Sequence, residues 1–244
     1  MRQGHEDAPE TGLGPRRGAY GLALRGLDRA GELLVPAPAS WPVLDVLAQQ
    51  GSETPAADVI TERRAELGLA AGGRIHVERE PLRAVFETPA PLADGELVHP
   101  YLGSAAVVAA FWFGWESFHA GAVVVEGGAW AVLGEREAGK SSLLAWLALT
   151  GVDVAADDVL VVDGATVFAG PRAVDLRREP AARFGAGEYL GRVGARERWR
   201  LQLGPVAPEL RLRGWIFLVW GERVEARRLA GGSRVLELAR QRAI

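Results

Sequence analysis

Gly134-Glu135-Arg136-Glu137-Ala138-Gly139-Lys140-Ser141-Ser142 is the stretch on which the reading of this chain turns. Its first eight residues fit the pattern G-x-x-x-x-G-K-[ST], and the flanks are what that pattern needs. Residues 129–133 form a short apolar run suited to a strand. Lys140–Leu149 carries Leu143, Leu144, Trp146 and Leu147 at helical spacing, and Gly151 stops it. Strand, glycine-bounded loop and helix in that order make a cradle for phosphate. The glycines let successive N–H groups turn inward, and the helix start adds a positive field. The expected nucleotide contacts are therefore Gly134, Glu135, Arg136, Glu137, Ala138, Gly139, Lys140, Ser141 and Ser142. Lys140 is expected on the β- and γ-phosphates and the Ser141 hydroxyl on Mg²⁺.

Composition supports the lysine. Lys and Arg together number 28, yet Lys140 is the one lysine in the chain, and asparagine is absent. In such an arginine-rich background, a surviving lysine marks a place where a compact point charge is needed and a broad planar fork will not fit.

Fifteen residues beyond Ser142, Asp157-Asp158 interrupts the apolar run 152–162. Two adjacent carboxylates inside a buried strand are costly to desolvate. At the carboxyl end of a strand both reach a phosphate-and-metal site. One can hold Mg²⁺ there, and the other can take a proton from an attacking hydroxyl.

The remaining composition sets bounds. The chain has 244 residues, 48% hydrophobic and 24% charged, with net charge −3 and no cysteine. This is globular composition. It excludes a disulfide scaffold, a thiolate metal site and a cysteine nucleophile. The chain as a whole is no nucleic-acid binder by charge. The longest apolar run, 105–115, is too short to cross a bilayer and reads as a buried helix. Residues 1–18 are polar and glycine-rich, which reads as a flexible tail without the apolar segment of a signal peptide, so the expected setting is cytoplasmic and not a membrane. Residues 19–103 read as a β-rich part packed on the core, and residues 104–244 as the core that carries the phosphate loop.

Local pattern predicts strands over 19–27, 74–77, 83–88, 117–125, 166–169, 173–176 and 215–220. It predicts a loop at 51–57, a short helix over 59–67, a strand at 224–229 pairing with 215–220, and a terminal helix over 234–242. Between Arg178 and Arg213 lie eight arginines against four glutamates. Guanidinium forks match phosphate and carboxylate, so Arg172, Arg177, Arg198 and Arg200 are candidate contacts to transferring phosphate or a peptide. Arg196, Arg198 and Arg200 alternate and so share one face of a strand.

His119-Ala120-Gly121, the loop ending in Lys140-Ser141-Ser142, and Ala156-Asp157-Asp158 together resemble the catalytic domain of the HPr kinase/phosphorylase family. The likeness spans residues 118–177, with three motifs agreeing in order and spacing. It implies an α/β fold with a mixed sheet of the phosphoenolpyruvate carboxykinase-like type. It also implies a serine kinase using ATP or GTP with Mg²⁺, sometimes as a homo-oligomer. Carried over, Asp157 is the base on the acceptor serine, Asp158 joins Ser141 at the metal, and His119 lies near the transferring phosphate. Where the bifunctional enzymes carry a Glu-Ile-Arg-Gly-type signature, this chain reads Gly170-Pro171-Arg172-Ala173-Val174-Asp175-Leu176-Arg177. Phosphorolysis of phosphoserine is therefore not among the things the resemblance implies. That stretch, with His99-Pro100, is similar to short kinases of lasso-peptide biosynthetic clusters, which implies a precursor peptide with a C-terminal serine as acceptor. Two other functions fit the loop: a nucleotide-binding regulatory module without phosphotransfer, and a small-molecule kinase.

Overall fold

The computed structural model describes residues 16–70, 72–229 and 231–243. Most of the expected tail lies outside the described residues, and its last two residues, Arg17 and Gly18, open the first strand.

Eight strands form the first sheet: β1 (Arg17–Ala19), β2 (Leu22–Arg25), β3 (Val35–Pro36), β4 (Val43–Gln50), β5 (Val59–Ile60), β6 (Arg64–Gly68), β7 (Arg74–Arg79) and β8 (Leu82–Thr88). They lie in the order β3-β1-β2-β4-β8-β7-β6-β5, parallel at β2–β4 and β4–β8 and antiparallel elsewhere. Two expectations are corrected here. The strand over 19–27 is a tight hairpin, β1 to β2, turning at Tyr20-Gly21. The helix over 59–67 is the hairpin β5–β6. Thr61 decides the second case: its Oγ1 accepts from the Arg64 amide at 3.1 Å and closes a turn where a helix would run on.

After one turn of helix, α1 (Asp94–Glu96), comes α2 (Leu102–Phe113). It is apolar on nearly every side, and nine of its residues are buried. A helix of that kind needs cover all round. It has β7 against one part of its surface and β9 (Glu116–Phe118) and β13 (Leu160–Asp163) against another. One hydrophobic cluster thus runs from Leu22, Leu44 and Phe86 through Val108 to Val161 and Phe168.

The other elements of this half are β10 (Gly121–Val125), β11 (Gly128–Leu133), α3 (Lys140–Leu149), β12 (Val154–Ala156), β14 (Thr166–Phe168), β15 (Ala173–Leu176), α4 (Arg178–Phe184), β16 (Glu188–Val193), β17 (Arg196–Gln202), β18 (Glu209–Phe217) and α5 (Gly232–Arg240). The second sheet has the order β12-β10-β11-β18-β14-β13-β9, with β11 and β18 parallel. A small antiparallel sheet, β15-β17-β16, stands beside it. The architecture is mixed α/β with mixed sheets. Residues 224–229 form no strand, because β18 already has β11 on one edge and β14 on the other. The expected strand 117–125 is two strands with different partners, broken at His119-Ala120. Among the described residues, no helix is long and apolar enough to cross a membrane.

Candidate functional site

β11 ends at Leu133 and α3 begins at Lys140, so the glycine loop closes the gap between a buried strand and a helix start. Gly139 has φ +89°, in the left-handed region that favours glycine. At Gly134 the constraint is space, since a Cβ there would lie 2.7 Å from the Leu218 carbonyl oxygen. Lys140 curls back over the loop, and its Nζ donates to the carbonyls of Gly134 at 2.5 Å and Glu135 at 3.1 Å. Burial pushes the amine below its ordinary value, with Asp157 and Asp158 acting in the opposite sense. Two non-glycine residues, Glu137 and Asp158, both have φ +69°. Such strain gathers at functional sites.

The loop forms one wall of a cleft of about 890 Å³. Gly134 to Glu137, Gly139 to Ser142, Asp158, His119, Arg177 and Arg198 all line it. His119 is exposed there because the chain changes sheet partner at that point, and its amide is held by the Gln241 carbonyl at 2.8 Å.

The two aspartates divide differently from the expectation, which placed Ser141 with Asp158. The Ser141 hydroxyl donates to Asp157 Oδ1 at 3.0 Å. Asp157 is 3% exposed and does not line the cleft, whereas Asp158 is exposed and does. Both lie in the bend just after β12, where the left-handed Asp158 turns the chain, so one carboxylate is buried behind the loop and the other stands out toward solvent. Burial, then the neighbouring Asp158 charge, raises the Asp157 carboxyl to about 7. Ser141 and Asp157 offer hard oxygen donors with surplus negative charge, which suits Mg²⁺ completed by phosphate oxygens and water. Among the described residues, no group of three or more His, Asp and Glu gathers as a metal cage.

The arginines separate into two kinds. Arg177 and Arg198 face the cleft; Arg172 and Arg200 do not. Arg172 is buried and spends its guanidinium on the carbonyls of Gly204, Ala155 and Val154. Burial lowers it to about 10. Arg200 is taken by Asp175 and by the carbonyls of Gly95 and His99. Both are structural, because a buried polar group must be paired and the pairs are all internal. Arg177 pairs with Glu137 of the loop at 2.9 Å, which holds the Glu137 carboxyl below its ordinary range.

Several cleft residues were not singled out by sequence reasoning. Tyr101, Ser104, the β6–β7 turn at Gly68-Leu69-Ala70, and Arg240-Gln241 at the end of α5 had no chemical signature to mark them, and Arg196 was noted only as sharing a strand face with Arg198 and Arg200. Asp175 had one: a lone carboxylate in the apolar run 173–176, the same signal that marked Asp157. Burial works to raise its carboxyl, but the charges of His99, Arg200 and Arg198 bring it below the usual range. Burial pushes His99 itself down, toward its neutral form, so the lasting counter-charge is the Arg200 fork at 2.8 Å.

A solved structure titled as the HPr(Ser) kinase/phosphatase from Coxiella burnetii is similar over 46% of this chain and 70% of its own. The identity is 19% and the TM-score 0.28. No protein-family profile matches the chain, and no curated protein matches it.

Proposed function

We propose that this chain is a phosphotransferase that moves the γ-phosphate of ATP or GTP to a serine hydroxyl of a peptide or protein, acting in the cytoplasm. The observation that carries the reading is that the Gly134–Ser142 loop shares its cleft with the exposed Asp158 and is backed by the buried Asp157, which accepts from the Ser141 hydroxyl. The acceptor is taken to be the C-terminal serine of a lasso-peptide precursor, following the sequence resemblance.

Lys140 gives up its two carbonyl partners and meets the β- and γ-phosphate oxygens. Ser141 and Asp157 would hold the Mg²⁺, which when bound would offset charge on the phosphates. The exposed Asp158 stands where an acceptor hydroxyl enters, so it takes the base role expected of Asp157. Access decides this in its favour, because a base must reach the proton before its pKa matters. The serine oxygen forms a bond to the γ-phosphorus, the bond to the bridging oxygen breaks, the nucleoside diphosphate leaves, and the proton passes to Asp158. Arg177 and Arg198 offset charge on the transferring group. His119 lines the same space and is assigned to positioning.

Transfer of labelled γ-phosphate to a peptide ending in serine, to an internal-serine peptide, to free serine and to water tests this reading. Label on peptide, dependent on Mg²⁺ and lost by about 10²-fold or more in Asp158→Asn, is expected. Nucleotide binding without transfer to any acceptor would replace the reading with a regulatory nucleotide-binding module. Label on free serine alone would make it a small-molecule kinase.

A further inference from the structure

We infer that the indole of Trp220 is the platform on which the purine base of the nucleotide stacks. This rests on the reading of Gly134–Ser142 as a nucleotide site and extends that site beyond the phosphates.

The position follows from the sheet. β18 runs parallel to β11, and the pairing continues one step past it, with the Leu218 amide donating to the Leu133 carbonyl at 2.7 Å. Two residues later the chain is at the carboxyl end of both strands, the edge where open α/β sheets bind their ligands. Trp220 stands there beside the loop. Its Nε1–H donates to the Glu137 carbonyl at 3.3 Å. Its six-membered ring lies 3.6 Å from where a side chain on Gly139 would begin.

The same side chain is 80% exposed. A large aromatic ring left in water and fastened by its polar edge contributes little to the core. Fastened to the loop by that edge, it leaves its flat apolar faces open to solvent beside Gly139. Phosphates seated over the loop amides and the start of α3 leave the ribose and base to project past the rim that Trp220 flanks. A stacked base needs a face, not a set of hydrogen bonds, so the platform accepts adenine and guanine alike.

Calorimetric titration of the full chain with Mg²⁺ plus ATP, GTP or inorganic tripolyphosphate tests this, in wild type, Trp220→Ala and Trp220→Phe. Trp220→Ala is expected to weaken ATP and GTP by about tenfold, within the span of about 5-fold to about 150-fold of a base–aromatic stack, and to leave tripolyphosphate within about twofold. Trp220→Phe is expected to stay within about threefold of wild type for all three. Equal loss on all three ligands, or no loss on ATP and GTP, overturns the inference. An alanine variant with unchanged ATP binding but a changed sedimentation mass would also overturn it, making Trp220 part of a surface between copies. Wild-type protein that binds none of the three ligands overturns both this inference and the nucleotide reading of the loop. The binding of tripolyphosphate therefore tells the two failures apart.

Discussion

Lys140 is held at rest by two backbone carbonyls of its own loop, so its charge does not brace the core. Lys140→Ala is expected to leave the thermal midpoint within a few degrees of wild type while reducing transfer by about 10²-fold or more. Lys140→Arg is expected to be impaired nearly as far, because the fork is too broad for the space between the Gly134 carbonyl and the helix start. Wild-type turnover in the arginine variant would remove the case built on the single lysine. Asp157 carries the opposite liability, as a buried carboxylate with another carboxylate beside it. In chelator-treated protein at neutral pH, Asp157→Asn is expected to be more stable than wild type by roughly 1–3 kcal/mol in urea unfolding. Added Mg²⁺ and nucleotide should then stabilise wild type more than the variant, since the variant has lost a ligand. A variant less stable than wild type without metal would show that the carboxylate is satisfied in some other way.

The small sheet β15-β17-β16 matters through one register. Asp175 of β15 faces Arg200 of β17 directly across the ladder. Arg198, two residues along the same face, reaches the same carboxylate at 3.5 Å. Arg200 then extends to the carbonyls of Gly95 and His99, tying this sheet to the segment ahead of α2. Asp175→Asn removes the carboxylate that the largely enclosed Arg200 and Arg198 share, and is expected to cost about 3–5 kcal/mol. The sign with pH follows from the lowered carboxyl. Its contribution is complete above the unfolded value near 4 and is lost as pH falls toward the native one. The gap between wild type and variant in urea unfolding should therefore be wide at pH 7 and narrow toward pH 3. A gap that stays constant over that range would assign the effect to packing. At this scale the sequence was legible wherever an element was bounded by its own residues. The helix 140–149, the strand 173–176 and the helix read from the run 105–115 needed only periodicity and glycine stops. The helix misread over 59–67 and the strand misread at 224–229 depended on partners. Thr61 closing a turn, and both edges of β18 being already filled, are facts of tertiary structure that no local pattern contains.

For the molecule as a whole, the cleft draws together parts far apart in the chain, from Gly68 in the first sheet to Gln241 after α5. The loop and the aspartate pair were legible because phosphate and metal chemistry demand particular residue types at particular spacings. The far wall was not, because a glycine-leucine-alanine turn or a helix end acquires its meaning only from what it faces. The division of labour between Asp157 and Asp158 was likewise hidden, since it is set by the left-handed bend at Asp158 after β12, which no local pattern announces. The solitary lysine has a bearing on covalent chemistry as well. Within this sequence one side chain offers an aliphatic amine, and burial lowers its pKa, which enriches the nucleophilic free base. An acylating reagent therefore meets an arginine-rich surface that does not react and a single side chain that does. Mass spectrometry after limited acetylation is expected to show one side-chain adduct, on Lys140, accompanied by loss of transfer and slowed by Mg²⁺ with nucleotide. Acetylation unaffected by nucleotide would place the amine outside the occupied site. By the same logic, cellular acyl donors that modify lysines on most proteins at scattered and harmless positions have here one side-chain target, and it is the group that grips the phosphate.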